Sequence, residues 1–270
     1  MISSNVFAGL LRDWRGRRGF SQLQLAHEAD VSQRHISFLE LGRSAPSRAM
    51  VLRLGAALGM PLRDQNSLLL ASGFAPAWQS GERTDAGMVM LDRAIDYMLE
   101  RHDPYPAFVL DRHWNLLRVN RGGGWFAGYL IEGPPLEPNP ANPVNLADAF
   151  TADGPMRRII SNWEDTARYF LRTIRADFSA NGTTETAALL ERLLRYPGAK
   201  ALYNSVKTDL GADPALTFDT DDGKTKLRVF MTLATLGTPL TVAAQEIRFE
   251  YFFPADTETE AVFETMVTAG

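Results

Sequence analysis

The chain has 270 residues, 45% of them hydrophobic and 22% charged, with a net charge of -4 and no cysteine. That length is enough for two domains. The composition excludes a disulfide framework and a thiolate metal site, which suits a cytoplasmic protein. There is no apolar run long enough to span a bilayer and no basic-then-apolar leader, so no membrane partner is expected. The charge is uneven: residues 1–77 carry nine Arg against five Asp and Glu (+4), and residues 78–270 carry the remaining -8. A basic head on an acidic body fits a small nucleic-acid module joined to a larger part that avoids nucleic acid.

Asn5 to Arg18 reads as a helix with Phe7, Leu10, Leu11 and Trp14 on one face. Arg12, Arg15, Arg17 and Arg18 crowd its other side and its C-terminal end, where they complement the helix dipole or lie along a phosphate strand. Gly19 ends this helix, and Ser21 to Gly42 then reads as two short helices with a tight turn between them. Ser21 and Gln24 have the spacing of a capping box, and Ser32 caps the second helix. Leu25, Ala26, Ile36 and Leu39 face inward, with Ala26 small enough to let the two helices cross closely. This is the pattern of a helix-turn-helix, whose second helix enters the major groove of DNA. Ser47 caps a further helix to about Leu58, and Pro61 opens another that ends near Ser72.

Base readout is expected from the start of the second helix. Gln33 suits an adenine edge, and Arg34 suits guanine or a phosphate. Ser32 and Ser37 suit a phosphate or a base edge, while His35 is either a groove-facing donor or a plain surface residue. Gln22, at the start of the first helix, and Arg43, in the following loop, suit backbone phosphates.

Residues 75–87 form a candidate linker, and Met88 to Arg101 follows as an amphipathic helix that could serve as connector, dimer helix or cover for the next domain. Ala107 to Asp111 and Trp114 to Asn120 read as strands, and Arg121 to Leu130 as a helix weakened by Gly122, Gly123 and Gly124. Pro155 to Phe178 carries one wide apolar stripe and reads as a single long helix. Thr184 to Tyr196 and Ala199 to Leu210 read as two more. Three strands then follow: Ala215 to Thr220 and Lys224 to Leu236 around an Asp221-Asp222-Gly223 turn, and Thr241 to Phe253. A short helix from Glu258 to Val267 closes the chain. Two strands early and three late fit one antiparallel sheet of about five strands with helices on one face.

Two resemblances cover nearly the whole chain. Gln22, Leu25, Ala26, Val31, Ser32, Gln33, Ile36, Ser37, Glu40, Gly42 and Pro46 resemble the Cro/C1-type (XRE) helix-turn-helix family. Asp30 stands where that family usually has a glycine in a left-handed conformation. Tyr105-Pro106, the run Val109 to Asn115, Asn162-Trp163-Glu164, Tyr196-Pro197-Gly198, Leu236-Gly237-Thr238-Pro239 and Phe252-Phe253-Pro254-Ala255-Asp256 resemble the ligand-binding domain of MmyB-like transcription regulators. The resemblance implies an all-α helix-turn-helix domain (1–77), a linker and connector helix (78–104) and an α+β PAS-like ligand-binding domain (105–270). It also implies double-stranded DNA and a small apolar effector, such as a fatty acid, as partners. A homodimer is expected, because one such module usually needs a second half-site.

In the body, Trp163, Phe170, Phe230 and Phe249 are candidate walls of an effector pocket, and Arg168, Arg112 or His113 are candidate donors to a carboxylate head. The alternative is a body that only dimerises or binds protein, with a filled core. No cofactor or metal is expected. No G-x-S-x-G, P-loop or H-E-x-x-H pattern occurs, and His102, Asp103, Asp111 and His113 read as turn residues rather than ligands or catalysts.

Overall fold

The computed structural model describes residues 2–78, 86–181, 184–205, 217–237 and 239–268. They divide into two compact units, one built on residues 1–82 and the other on most of residues 83–270.

The first unit is five helices: α1 (Ile2–Arg17), α2 (Gln22–Glu28), α3 (Gln33–Glu40), α4 (Arg48–Ala57) and α5 (Leu62–Ala71). Three of them start as the capping chemistry requires. Ser21 forms a capping box with Gln24, and the side chains of Ser32 and Ser47 accept from the backbone N–H groups of His35 and Met50. Between α2 and α3, Asp30 takes the left-handed conformation at φ 50°. The core is Phe7, Leu11 and Trp14 of α1 against Leu25, Ala26, Ile36, Leu39, Leu54 and Leu68.

The second unit begins with α6 (Ala86–His102), β1 (Ala107–Leu110), β2 (Leu116–Val119) and α7 (Arg121–Leu130). It continues with α8 (Leu146–Thr151), α9 (Pro155–Ile159), α10 (Trp163–Asn181), α11 (Thr184–Leu193) and α12 (Ala199–Asn204). It ends with β3 (Thr217–Asp221), β4 (Lys226–Thr235), β5 (Arg248–Pro254) and α14 (Thr257–Thr268), and α13 (Val242–Glu246), in the connection from β4 to β5, is grouped with the first unit as far as Gln245. The five strands form one antiparallel sheet in the order β2-β1-β5-β4-β3, so the two early strands join the three late ones through the β1–β5 pair. The β3–β4 hairpin turns at Gly223 (φ 84°), where the Asp222 carboxylate accepts from the backbone of Lys224 and Thr225.

The structure departs from the sequence expectations in four places. The stripe from Pro155 to Phe178 is two helices, because Ile160 turns extended and bridges Thr220 of β3. Asn162 then donates to the Thr217 carbonyl and accepts from the Asp219 N–H, while its own carbonyl starts α10. Periodicity missed the break because Ile159, Ile160 and Trp163 all stay buried on either side of it. The expected strand from Thr241 to Phe253 holds a one-turn helix, α13, before β5.

The third place is α7 itself, whose glycines let it sit tightly against neighbouring carbonyls. A Cβ on Gly122 would lie 2.2 Å from the Pro104 carbonyl oxygen, and one on Gly128 would lie 2.5 Å from that of Pro134. Asn120 caps this helix, accepting from Gly123 N–H and Ala107 N–H while donating to the Tyr105 carbonyl. The fourth is that helices lie on both faces of the sheet. Arg118 of β2 pairs with Asp92 and Asp96 of α6, and the His102 ring meets Tyr251 and Phe253 edge-on. Arg118, Val109 and Phe249 are register neighbours, so α6 covers that face at β1 and β5. The remaining helical segments expected at 206–210, the strand start at 215–216 and most of the linker lie outside the described residues.

Candidate functional sites

The first site is α3. Its inner side chains, Ile36 and Leu39, are fully buried, which orients the helix about its axis. The same orientation leaves Ser32, Gln33 and Arg34 exposed on its first turn, and Arg43 exposed in the loop beyond its end. The Arg34 guanidinium rests 5.1 Å from the centre of the Phe38 ring one turn on, which limits the volume its charge explores. His35 and Ser37 are half-buried at the edge of this surface. The Ser32 hydroxyl caps the helix and remains exposed.

Gln22 is placed differently. Its amide donates to the Glu40 carboxylate at 2.8 Å, so its side chain is held inside the helical unit. Glu40 is 2% exposed and receives two bonds from Arg15, Nε at 2.6 Å and Nη2 at 3.0 Å. Burial pushes the Glu40 carboxyl up. The hydrogen bonds from Arg15 and Gln22 and the charges of Arg15 and Arg12 outweigh it and hold Glu40 below the usual carboxylate range.

Arg12 and Arg18 also bind within the unit. Arg12 donates to the Glu40 carbonyl at the end of α3, and Arg18 donates to the carbonyls of Leu58 and Gly59 at the end of α4. These satisfy C-terminal carbonyls that have no partner within their helices. Arg12, Arg15 and Arg18 are therefore staples that fix α3 and α4, and the expected phosphate role does not describe their contacts.

The second site is a cavity of about 60 Å³ between one face of the sheet and helices α7 to α10. Phe126, Phe150, Phe170, Phe218 and Phe252 wall it, with Trp114 and Met231 beside them. The rings interlock edge to face: Trp114 and Phe170 are centred 4.5 Å apart, and Phe218 and Phe252 are 5.9 Å apart. Two polar side chains reach the lining, Thr220 and Glu250. The Thr220 hydroxyl is engaged, accepting from Tyr129 at 3.1 Å and donating to the Leu227 carbonyl at 3.4 Å. Glu250 is 4% exposed, and its carboxyl makes no hydrogen bond among the described residues. Burial pushes that carboxyl up to about 7, opposed only by the charge of Arg248.

Of the residues expected to wall the pocket, Phe170 does so. Trp163 is one layer behind: its indole N–H donates to the Phe150 carbonyl, and Arg157 stacks on it at 4.1 Å. Arg168 is spent on Asp165 and Ser205, at 2.7 Å each. Phe230 and Phe249 lie on the far face of the sheet, where Phe230 stacks on Phe253 and Phe249 on Tyr251. The parity is fixed by register, since Met231 pairs with Phe252 and both point into the cavity. Aromatics occupy both parities of β5, so hydrophobicity alone does not choose the inner face. Arg112 pairs with Glu246 at 3.1 Å, and neither it nor His113 lines the cavity.

Among the described residues, no group of three or more His, Asp or Glu side chains could hold a metal, and no helix is long and apolar enough to cross a membrane. Comparison with known families gives two matches. The ligand-binding domain of MmyB-like transcription regulators matches residues 91–266, and a helix-turn-helix matches residues 11–65. No curated protein matches the chain.

Proposed function

Because the chain belongs to the MmyB-like transcription regulators, we propose that it binds specific DNA through α3 and tunes that binding with a small apolar effector held in the second unit. The observation that carries the reading is the pairing of an exposed Gln33-Arg34 turn on a rigidly seated helix with a cavity whose walls are almost wholly aromatic and aliphatic. Gln33 and Arg34 read base edges, while Ser32, Ser37 and Arg43 meet phosphates or base edges, with His35 at their margin. Gln22 contributes by fixing the end of α3 through Glu40.

The two-early, three-late antiparallel sheet supports the PAS-like reading of the second unit. For a fatty-acid-like effector, each buried methylene contributes about 0.8 kcal/mol. The cavity is smaller than the roughly 150 Å³ that holds benzene, so a long chain requires wall side chains to move. The protein acts as a cytoplasmic homodimer on two half-sites, and effector binding shifts the population able to span them. The reading is tested with an operator obtained by selection from random duplexes. Gln33→Ala weakens its binding by about 1–3 kcal/mol in a gel-shift titration. Unchanged affinity removes Gln33 from readout, and unaltered affinity and oligomeric state at saturating effector remove the coupling.

A second reading, a body that associates without any ligand, draws on α6, where Met90 (71%) and Tyr97 (63%) are exposed. Native mass spectrometry separates the two: a retained small molecule favours the first, and a ligand-free dimer the second.

A further inference from the structure

We propose that Glu250 is the polar anchor of the cavity, selecting effectors that present a hydrogen-bond donor, a primary amine above all, over carboxylates of the same size. The inference rests on the effector reading of the cavity and replaces one part of it: the apolar tail is kept, and the carboxylate head of a fatty acid gives way to a hydrogen-bond donor.

Glu250 sits in the middle of β5 and points with Phe252 to the cavity side, among walls that are otherwise apolar apart from the engaged hydroxyl of Thr220. A buried carboxyl without a partner is costly, so a protein that retains one at a cavity wall gains when a ligand supplies the missing donor. Register sets Phe108 of β1 and Leu233 of β4 on either side of it, and neither has a charge or a donor in its side chain. Among the described residues, the charged group that acts on it is Arg248 of its own strand, whose guanidinium lies over the Trp114 ring at 5.8 Å. Among the described residues, the helices that close the cavity bring no cation into its lining.

An ammonium group there forms charge-assisted hydrogen bonds to the carboxylate. A ligand carboxylate instead faces a second acid in a poorly solvated space, where the two must share a proton or repel. Since burial holds Glu250 near 7, amine binding completes its ionisation, releases a proton, and strengthens as pH rises from about 6 to about 8.

The test uses the full chain with three four-carbon probes, n-butylamine, butan-1-ol and butyrate, followed by ligand-observed NMR. We expect butylamine to bind about tenfold or more tighter than butyrate at neutral pH. In Glu250→Gln, the amine advantage should collapse while butan-1-ol binding stays within about threefold. The wild-type pH series checks the same point without a variant. If butyrate binds as well as the amine, or the amine preference survives in Glu250→Gln, the anchor is another group, Arg248 first, and this inference is overturned while the cavity reading stands. If none of the three binds, butan-1-ol included, the cavity reading falls and takes this inference with it.

Discussion

Glu40 in the helical unit and Glu250 in the sheet unit are buried to nearly the same degree, 2% and 4% exposed, in opposite surroundings. Glu40 is gripped by the Arg15 fork and the Gln22 amide, and its carboxyl is held below its ordinary value near 4.5. Among the described residues Glu250 has no hydrogen-bonding partner, and its carboxyl is pushed up to about 7. A satisfied buried acid stiffens what surrounds it; an unsatisfied one stores an unmet interaction beside an open space. The former underlies α3, the helix proposed to read bases, and the latter faces the cavity proposed to hold an effector.

The sharpest way to break the contrast is to make Glu40 resemble Glu250. Arg15→Ala strands the Glu40 carboxylate, and denaturant unfolding of the helical unit should show a loss of about 3 kcal/mol or more. The reverse change comes next. Glu250→Gln removes the buried acid and should stabilise the sheet unit at pH 8 by on the order of 2–3 kcal/mol, with little effect at pH 4.

The signs of the pH responses follow from the two directions. Glu40, depressed on folding, contributes stability above its unfolded value, and that contribution is lost as pH falls through the folded value. Glu250, raised on folding, keeps its proton in the native state after the unfolded chain has lost it. Stability therefore declines as pH climbs from about 4.5 to about 7. Separate thermal melts for the two units across pH 3 to 8 should diverge in this way, and parallel profiles would refute the contrast. The smallest effect is in the turn that sets the angle of α3. Asp30→Gly relieves the left-handed backbone at φ 50° and should gain under about 1 kcal/mol, read as a small rise in melting temperature.

The helical unit was legible because its signals are local: Ser21, Ser32 and Ser47 cap the helices they precede, and α3 exposes Gln33 and Arg34 on its first turn. What was not legible there is long-range. Nothing in the spacing of Arg15 and Glu40, twenty-five positions apart, announces a pair, although Glu40 standing one turn after buried Ile36 is a hint. In the sheet unit, the strand count could be read, but the inward parity of β5 could not. With Phe249, Tyr251, Phe252 and Phe253 on both faces, the sequence favours neither, and a glutamate in such a strand suggests the solvent side. The tight seat of α7 was likewise hidden, since a glycine run reads as weakness until the carbonyls against it are seen.

The two bridges outside the main ladders bear on how the protein behaves when crowded. Ile160 bridges Thr220 beyond β3, and Asn115 bridges Asn145 next to β2, so each outermost strand of the sheet has a short length of its own chain beside it. With Ser161 and Asn162 bound to Thr217 and Asp219, and Leu116 N–H donating to the Val144 carbonyl, amide and carbonyl groups at both margins are already occupied. A strand from a neighbouring molecule finds few vacant groups to pair with there, which guards against runaway sheet extension.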